Sequence, residues 1–358
     1  MLRIAIVTLL FTGLFSLPTA HALPLKVNAP AVEATAEEAV EAAPPAISPS
    51  ELSAWRLPPE YYPEQNPYSI GKEELGRKLF FDPRLSGNSS RTCAACHHPG
   101  LGWADGMARA LGDQQNLGRH TPSLINIGYA EAFFWDGRAS TLEDAVSQDI
   151  LSPGVSSSET ARSIVVRIAS IANYRKAFEA SFGPEGVSFE RITEALATFV
   201  RSIRSSSTPF DHWLEGDEAA LSESAKRGFY LFVGKASCVQ CHTPPTFTDS
   251  SFHNTGLNTV DPGHYEISGK DEDRNAFKTP GLRDVALTPP YMHNGAKPTL
   301  VDIIDFYDRG GDAHGSGNEL KPLHLSEAEK ADLLAFLLSL SGEASEILMP
   351  ALPVALMP

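Results

Sequence analysis

The sequence predicts a mainly α-helical protein of two domains with long loops, and three observations carry that prediction. Apolar residues recur at helical spacing behind residues that cap helix starts, convincing alternating strand runs are absent, and one pentapeptide rich in cysteine occurs once in each half of the chain.

In chain order, residues 1–22 read as a secretory signal. Arg3 supplies the basic start, residues 4–17 form a mostly apolar run, and Ala20-His21-Ala22 is a small-x-small cleavage site. That run is short for a bilayer, and no other segment is long and apolar enough to span one, so no membrane insertion is expected once the signal is removed. Residues 23–60 are assigned to a tether, rich in Ala, Pro, Glu and Val and free of aromatic residues as far as Ser50, which should be disordered.

The first domain is placed at residues 61–208. Its strongest helix is capped by Ser188 and carries Ile192, Leu196, Phe199, Val200 and Ile203 on one face. The Ser-Ser-Ser-Thr-Pro of residues 205–209 breaks that helix and marks the boundary. The second domain is placed at residues 209–345, followed by a tail at 346–358. Thr299 with Asp302, and Ser326 with Glu329, form capping boxes ahead of two apolar stripes: Leu300, Ile303, Ile304 and Tyr307, then Leu333, Leu334, Phe336, Leu337 and Leu340. Gly/Pro-rich stretches at residues 99–118 and 243–262 lie between the helices. A net charge of −15 and a pI near 5.2 disfavour nucleic acid and anionic membrane surfaces as partners.

Cys93-Ala94-Ala95-Cys96-His97 and Cys238-Val239-Gln240-Cys241-His242 consume all four cysteines. One such pentapeptide could be a redox dithiol or half a zinc site. Two, each with its trailing histidine and no cysteine left over, point to two covalent haem c groups, with paired thioethers on each porphyrin and the histidine on iron. His97 and His242 lie 145 residues apart, which assigns one haem to each of two cytochrome c-like domains. A large apolar cofactor then replaces part of each core. Haem c is attached outside the bacterial inner membrane, which fits the signal and places the protein in the periplasm.

Three further stretches stand out: Phe134-Trp135-Asp136-Gly137-Arg138-Ala139, residues 278–286, and Pro290-Tyr291-Met292-His293-Asn294-Gly295. With the haem motifs, this ordered set closely resembles the bacterial dihaem cytochrome c peroxidase superfamily, and within it the MauG-like branch, over residues 65–342. The resemblance implies that His97 holds the haem that meets hydrogen peroxide. It implies that His242 holds a second, six-coordinate haem and that Trp135 couples the two. In the peroxidases a methionine lies fourteen residues after the histidine matched by His293, and it ligates the second iron. Here, as in the MauG-like branch, that position is a tyrosine, Tyr307. Met292 is the rival ligand. A thioether favours reduced iron, whereas an anionic phenolate favours oxidised iron, so the tyrosine suits a haem that stores oxidising equivalents.

The sequence also departs from the family. The usual distal glutamate falls on Val155, leaving Asp149 and Glu159 as candidates for the proton-transferring group, and the usual distal glutamine is Ala145. No second histidine that would block the reactive haem appears between Asp105 and Arg119. The resemblance implies a calcium ion between the haems, held by carbonyls matching Thr288 and Pro290 and by an asparagine. That asparagine is His120 here, a poor ligand for a hard cation, so calcium stays open. In one member of the MauG-like branch, which completes a partner enzyme's tryptophan-derived cofactor, electrons enter through a surface tryptophan two residues before the second haem motif; here that position is Ala236. Trp103, Trp213 and Tyr230 are other aromatic residues that could relay electrons.

Three functions follow as expectations. The first is a MauG-like enzyme that uses peroxide to oxidise an aromatic side chain, tryptophan by preference, of a periplasmic partner protein. The second is a peroxidase supplied with electrons by a small cytochrome or copper protein, and the third is a dihaem electron carrier without catalysis.

Overall fold

The computed structural model describes residues 48–87, 89–112, 116–153, 160–312, 317–343 and 349–353. They lie within one compact unit. The expected signal, residues 23–47 of the expected tether, Val155 and Glu159 fall outside the described residues.

Helices dominate. α1 (Pro49–Ser53) and α2 (Ile70–Phe80) precede the first haem motif. α3 (Leu142–Leu151), α4 (Ala161–Ala169), α5 (Ala172–Phe182) and α6 (Phe189–Arg201) follow it. α7 (Pro209–Leu214) and α8 (Glu223–Val233) lead into the second motif, and α9 (Tyr265–Ser268), α10 (Leu300–Asp308) and α11 (Glu327–Ser339) come after it. The caps expected from sequence are present: Ser188 accepts from the Arg191 N–H, and Thr299/Asp302 and Ser326/Glu329 are reciprocal boxes. Among the described residues, the only paired strands are β1 (Phe252–His253) and β2 (Phe277–Lys278), antiparallel with Phe252 opposite Lys278.

Two hydrophobic clusters form the interior. One gathers Leu75, Leu79, Phe80, Trp103, Phe178, Leu196 and Phe199; the other gathers Phe210, Phe229, Phe232, Phe247 and Phe336. Each cluster is closed by a helix pair that crosses at a glycine. In the first, a Cβ on Gly76 of α2 would lie 1.9 Å from the Ala195 carbonyl oxygen of α6. In the second, a Cβ on Gly228 of α8 would lie 2.0 Å from the Asp332 carbonyl oxygen of α11. Backbone cannot yield as a side-chain tip can. Gly228→Ala should therefore push α8 off α11 and destabilise the holoprotein by about 1–3 kcal/mol or more, despite alanine's better helix propensity. A thermal midpoint equal to wild type would show that the helices can separate without cost.

The end of the expected tether requires a correction. Trp55 is only 4% exposed and packs on Phe210, Phe229, Phe232 and Phe247, and its carbonyl accepts from Arg283 Nη2 at 2.6 Å. Residues 48–60 thus include a helix and an aromatic anchor on the second cluster. A lone tryptophan in an Ala/Pro-rich context gives no periodic signal, so its burial is invisible in sequence.

Candidate haem sites

Both haem motifs fold the same way. The first three residues of each motif wind as a short 3₁₀ turn, Cys93–Ala95 and Cys238–Gln240, and the histidine N–H closes onto the first cysteine carbonyl at 2.9 Å in each. Each imidazole then meets a backbone carbonyl through Nδ1: His97 with Trp103 O at 3.1 Å, His242 with Phe247 O at 2.8 Å. A carbonyl only accepts, so Nδ1 carries the hydrogen and Nε2 is left for a metal. Trp103 and Phe247 both hold φ near +60°, at 58° and 60°, and their rings are buried in the two clusters. These two residues went unassigned as supports in the sequence, because a backbone acceptor leaves no residue-type signature.

With the thiols free, burial pushes Cys93 and Cys238 up to about 12 and Cys96 up to about 11. Such thiols are poor redox dithiols, which need a stabilised thiolate. Burial likewise holds both His97 and His242 below the ordinary histidine range, so both are neutral and able to ligate.

On the C-terminal side, His242, Cys238 and Cys241 open onto a cavity of about 620 Å³, with Phe232, Leu300, Ile304, Leu333 and Leu337 in its walls. Tyr307 of α10 and Met292 line the same cavity. Burial raises the Tyr307 phenol well above the ordinary tyrosine range, and its hydroxyl has no hydrogen-bond partner among the described residues. An anion there needs a nearby cation. Lys278 also lines the cavity without a side-chain partner among the described residues, and burial lowers its ammonium to about 8 despite the pull of Asp249. An apolar cavity with an available imidazole, an unpartnered phenol and an unpartnered ammonium fits a flat apolar macrocycle that carries a cationic centre and carboxylates.

Asp249 and Glu319 flank His253 at 2.8 and 2.7 Å, and with the Cys241 thiol as the largest influence the imidazole is pushed up to about 10. Cys241, Asp249 and His253 bring ligand atoms within 4.8 Å of one another. Both His253 nitrogens are engaged by carboxylates, however, so the ring has no lone pair for a metal, and Cys241 belongs to the haem motif.

Trp135 sits where the two halves meet, on the wall of this cavity. Its indole N–H donates to His120 O at 2.8 Å, and its carbonyl accepts from Lys278 N at 2.9 Å. Arg119 reinforces the seam, bonding Asp136 at 2.6 Å and Asp261 at 2.7 Å.

On the N-terminal side, α3 brings Asp149 within electrostatic reach of His97 and both Cys93 and Cys96. Burial raises its carboxyl above the ordinary aspartate range, opposed by His97 and by Arg138. Trp213 packs in the second cluster, and Ala236 is buried there too.

The comparisons with known proteins agree with this geometry. A family model described as di-haem cytochrome c peroxidase matches residues 71–219. The methylamine utilization protein MauG of Methylorubrum extorquens is 43% identical over 298 residues, spanning 82% of this chain and 84% of that protein. The chain belongs to the di-haem cytochrome c peroxidase family. Cytochrome c551 peroxidase of Nitrosomonas europaea, another relative, is 34% identical over 80% of this chain and 85% of its own. The crystal structure of a MauG-like protein associated with microbial copper homeostasis superposes with a TM-score of 0.74 at 33% identity, covering 80% of this chain and 94% of that one. As a member of this family the chain is a haem-dependent, peroxide-using oxidoreductase, which sets aside the electron carrier without catalysis. Among the described residues, no helix is long and apolar enough to cross a membrane.

Proposed function

We propose that this family member is a periplasmic MauG-type enzyme that uses hydrogen peroxide to oxidise an aromatic side chain, tryptophan by preference, of a partner protein. The observation that carries the reading is Tyr307, an unpartnered phenol in the cavity that opens from His242. Cys93/Cys96 and Cys238/Cys241 would each hold a covalent haem c, which would supply the redox chemistry of peroxide reduction. Each peroxide takes up two electrons and two protons and leaves as two waters, and the partner's side chain supplies the electrons.

The protein side chains divide the remaining work. His97 and His242 ligate through Nε2 because their Nδ1–H groups are bound to backbone. Asp149 moves the proton that O–O cleavage requires at the first site, where its raised carboxyl is suited to hold one. Glu159, the other candidate base, lies outside the described residues and is ranked second. Trp135, pinned at both ends of the seam, relays electrons between the sites. Tyr307 supplies negative charge that favours the oxidised state of the second site. Ala236 cannot act as a surface relay, so the partner docks elsewhere or uses another aromatic residue.

A second reading is favoured by Met292, whose thioether lines the same cavity. Ligation by Met292 would suit a peroxidase fed by a small cytochrome or copper protein.

The two readings part on the need for prior reduction. On stopped-flow mixing, the fully ferric holoprotein should react with peroxide at once, and a tryptophan-containing probe peptide should then lose two electrons and two protons and gain one oxygen from water, read by mass spectrometry. Reaction only after one-electron reduction, with consumption of a reduced small cytochrome and an unchanged peptide, would establish the peroxidase instead.

A further inference from the structure

We infer that His120 takes the place of a metal ion at the junction of the two halves, so that this enzyme works without the calcium its family resemblance implies. Thr288 and Pro290, whose carbonyls would serve that ion, line the inter-half cavity together with His120. The donor chemistry is wrong for calcium, which takes six to eight oxygen atoms and selects against imidazole nitrogen. Here the position that the resemblance gives to an asparagine oxygen carries an imidazole ring instead. The ring is fixed in an orientation that keeps it there: His120 is 5% exposed, and its Nδ1–H donates to the Met107 carbonyl at 2.6 Å.

The acidic groups of the junction are also committed. Asp136 and Asp261 are both bonded to Arg119, at 2.6 and 2.7 Å, and Asp105 accepts from Thr121 Oγ1 at 2.7 Å and from Met107 N at 2.9 Å. Arg119 is thus a fixed cation next to His120 in the chain, and it already pairs with Asp136 and Asp261. A second cation would meet repulsion from Arg119.

The joining that an ion would perform is done by His120 itself. Its ring is tied to Met107, its N–H donates to the His293 carbonyl at 2.7 Å, and its carbonyl holds the Trp135 indole at 2.8 Å. One residue thereby links the loop after the first haem motif, the loop before α10 and the tryptophan between the sites. His120 is a positioning residue for Trp135.

The test is calcium itself, and it is independent of which substrate the enzyme oxidises. Desalted wild-type holoprotein should contain no stoichiometric calcium by plasma mass spectrometry, and neither EGTA nor added calcium chloride should change its low-spin EPR signal. His120→Asn, which restores an amide oxygen, should bind one calcium per chain by calorimetry and acquire an EGTA-sensitive EPR signal. Wild type that retains one calcium and changes its EPR signal on chelation would overturn the inference. So would a doubly haem-loaded His120→Asn protein that binds none, since the ring would then not be what closes the site. If that variant fails to load both haems, the wild-type calcium analysis decides alone.

Discussion

Tyr307→Phe is expected to remove the low-spin phenolate signal from the ferric EPR spectrum and to raise the potential of the second haem. Loss of an anionic ligand should move that potential by on the order of 0.1 V, within the roughly 0.8 V that axial ligands span. The substitution keeps the ring and removes only a hydroxyl that has no hydrogen-bond partner among the described residues, so the fold loses little. A phenol at this depth resists ionisation, because burial raises its pKa. Its conversion to phenolate therefore requires a cation in the cavity, which ferric haem at His242 would supply, and the spectral change would read that pairing. An unchanged EPR spectrum and potential would make Tyr307 a wall residue and transfer the ligand role to Met292. The Met292→Leu variant would then be the one to lose the low-spin signal.

Asp149→Asn should slow the reaction of the ferric enzyme with peroxide by at least about tenfold, since a positioned proton-transfer group contributes roughly 10²–10⁴ in rate. Asparagine keeps the shape and cannot take the proton. Both ferric spectra should stay as in wild type, because Asp149 acts on the His97 site from α3 without replacing a ligand. A near-native rate in Asp149→Asn with a collapse in Glu159→Gln would transfer the role to Glu159. Near-native rates in both variants would leave solvent or His120 as the proton source.

The two haem motifs were legible in sequence because their signal is local, two cysteines and a histidine within five residues, and the structure folds both the same way. The helices α6, α10 and α11 were legible because capping side chains and apolar spacing agree at each. What stayed hidden depends on neighbours that are distant in the chain. Gly76 and Gly228 read as weak points of helices until Ala195 and Asp332 are seen against them. Trp55 reads as part of a linker until the phenylalanines of the second cluster surround it. Lys278 was visible within a motif, but only the structure shows its ammonium on the cavity wall without a side-chain partner among the described residues. Asp149 emerged from its position in the segment after Trp135, and the structure adds the electrostatic contact with His97.

The matching carbonyls of Trp103 and Phe247 carry a consequence for how two unlike centres arise from one repeated design. Because each acceptor is main chain, substitution of either side chain leaves it in place, and natural drift cannot easily retune one imidazole against the other. The repeat is therefore symmetric in its histidine supports, and its asymmetry must be written in the other residues around each site, where one has Asp149 and the other has Tyr307. Specialisation of the two halves proceeds by changing those residues alone while the histidine support of each site stays fixed.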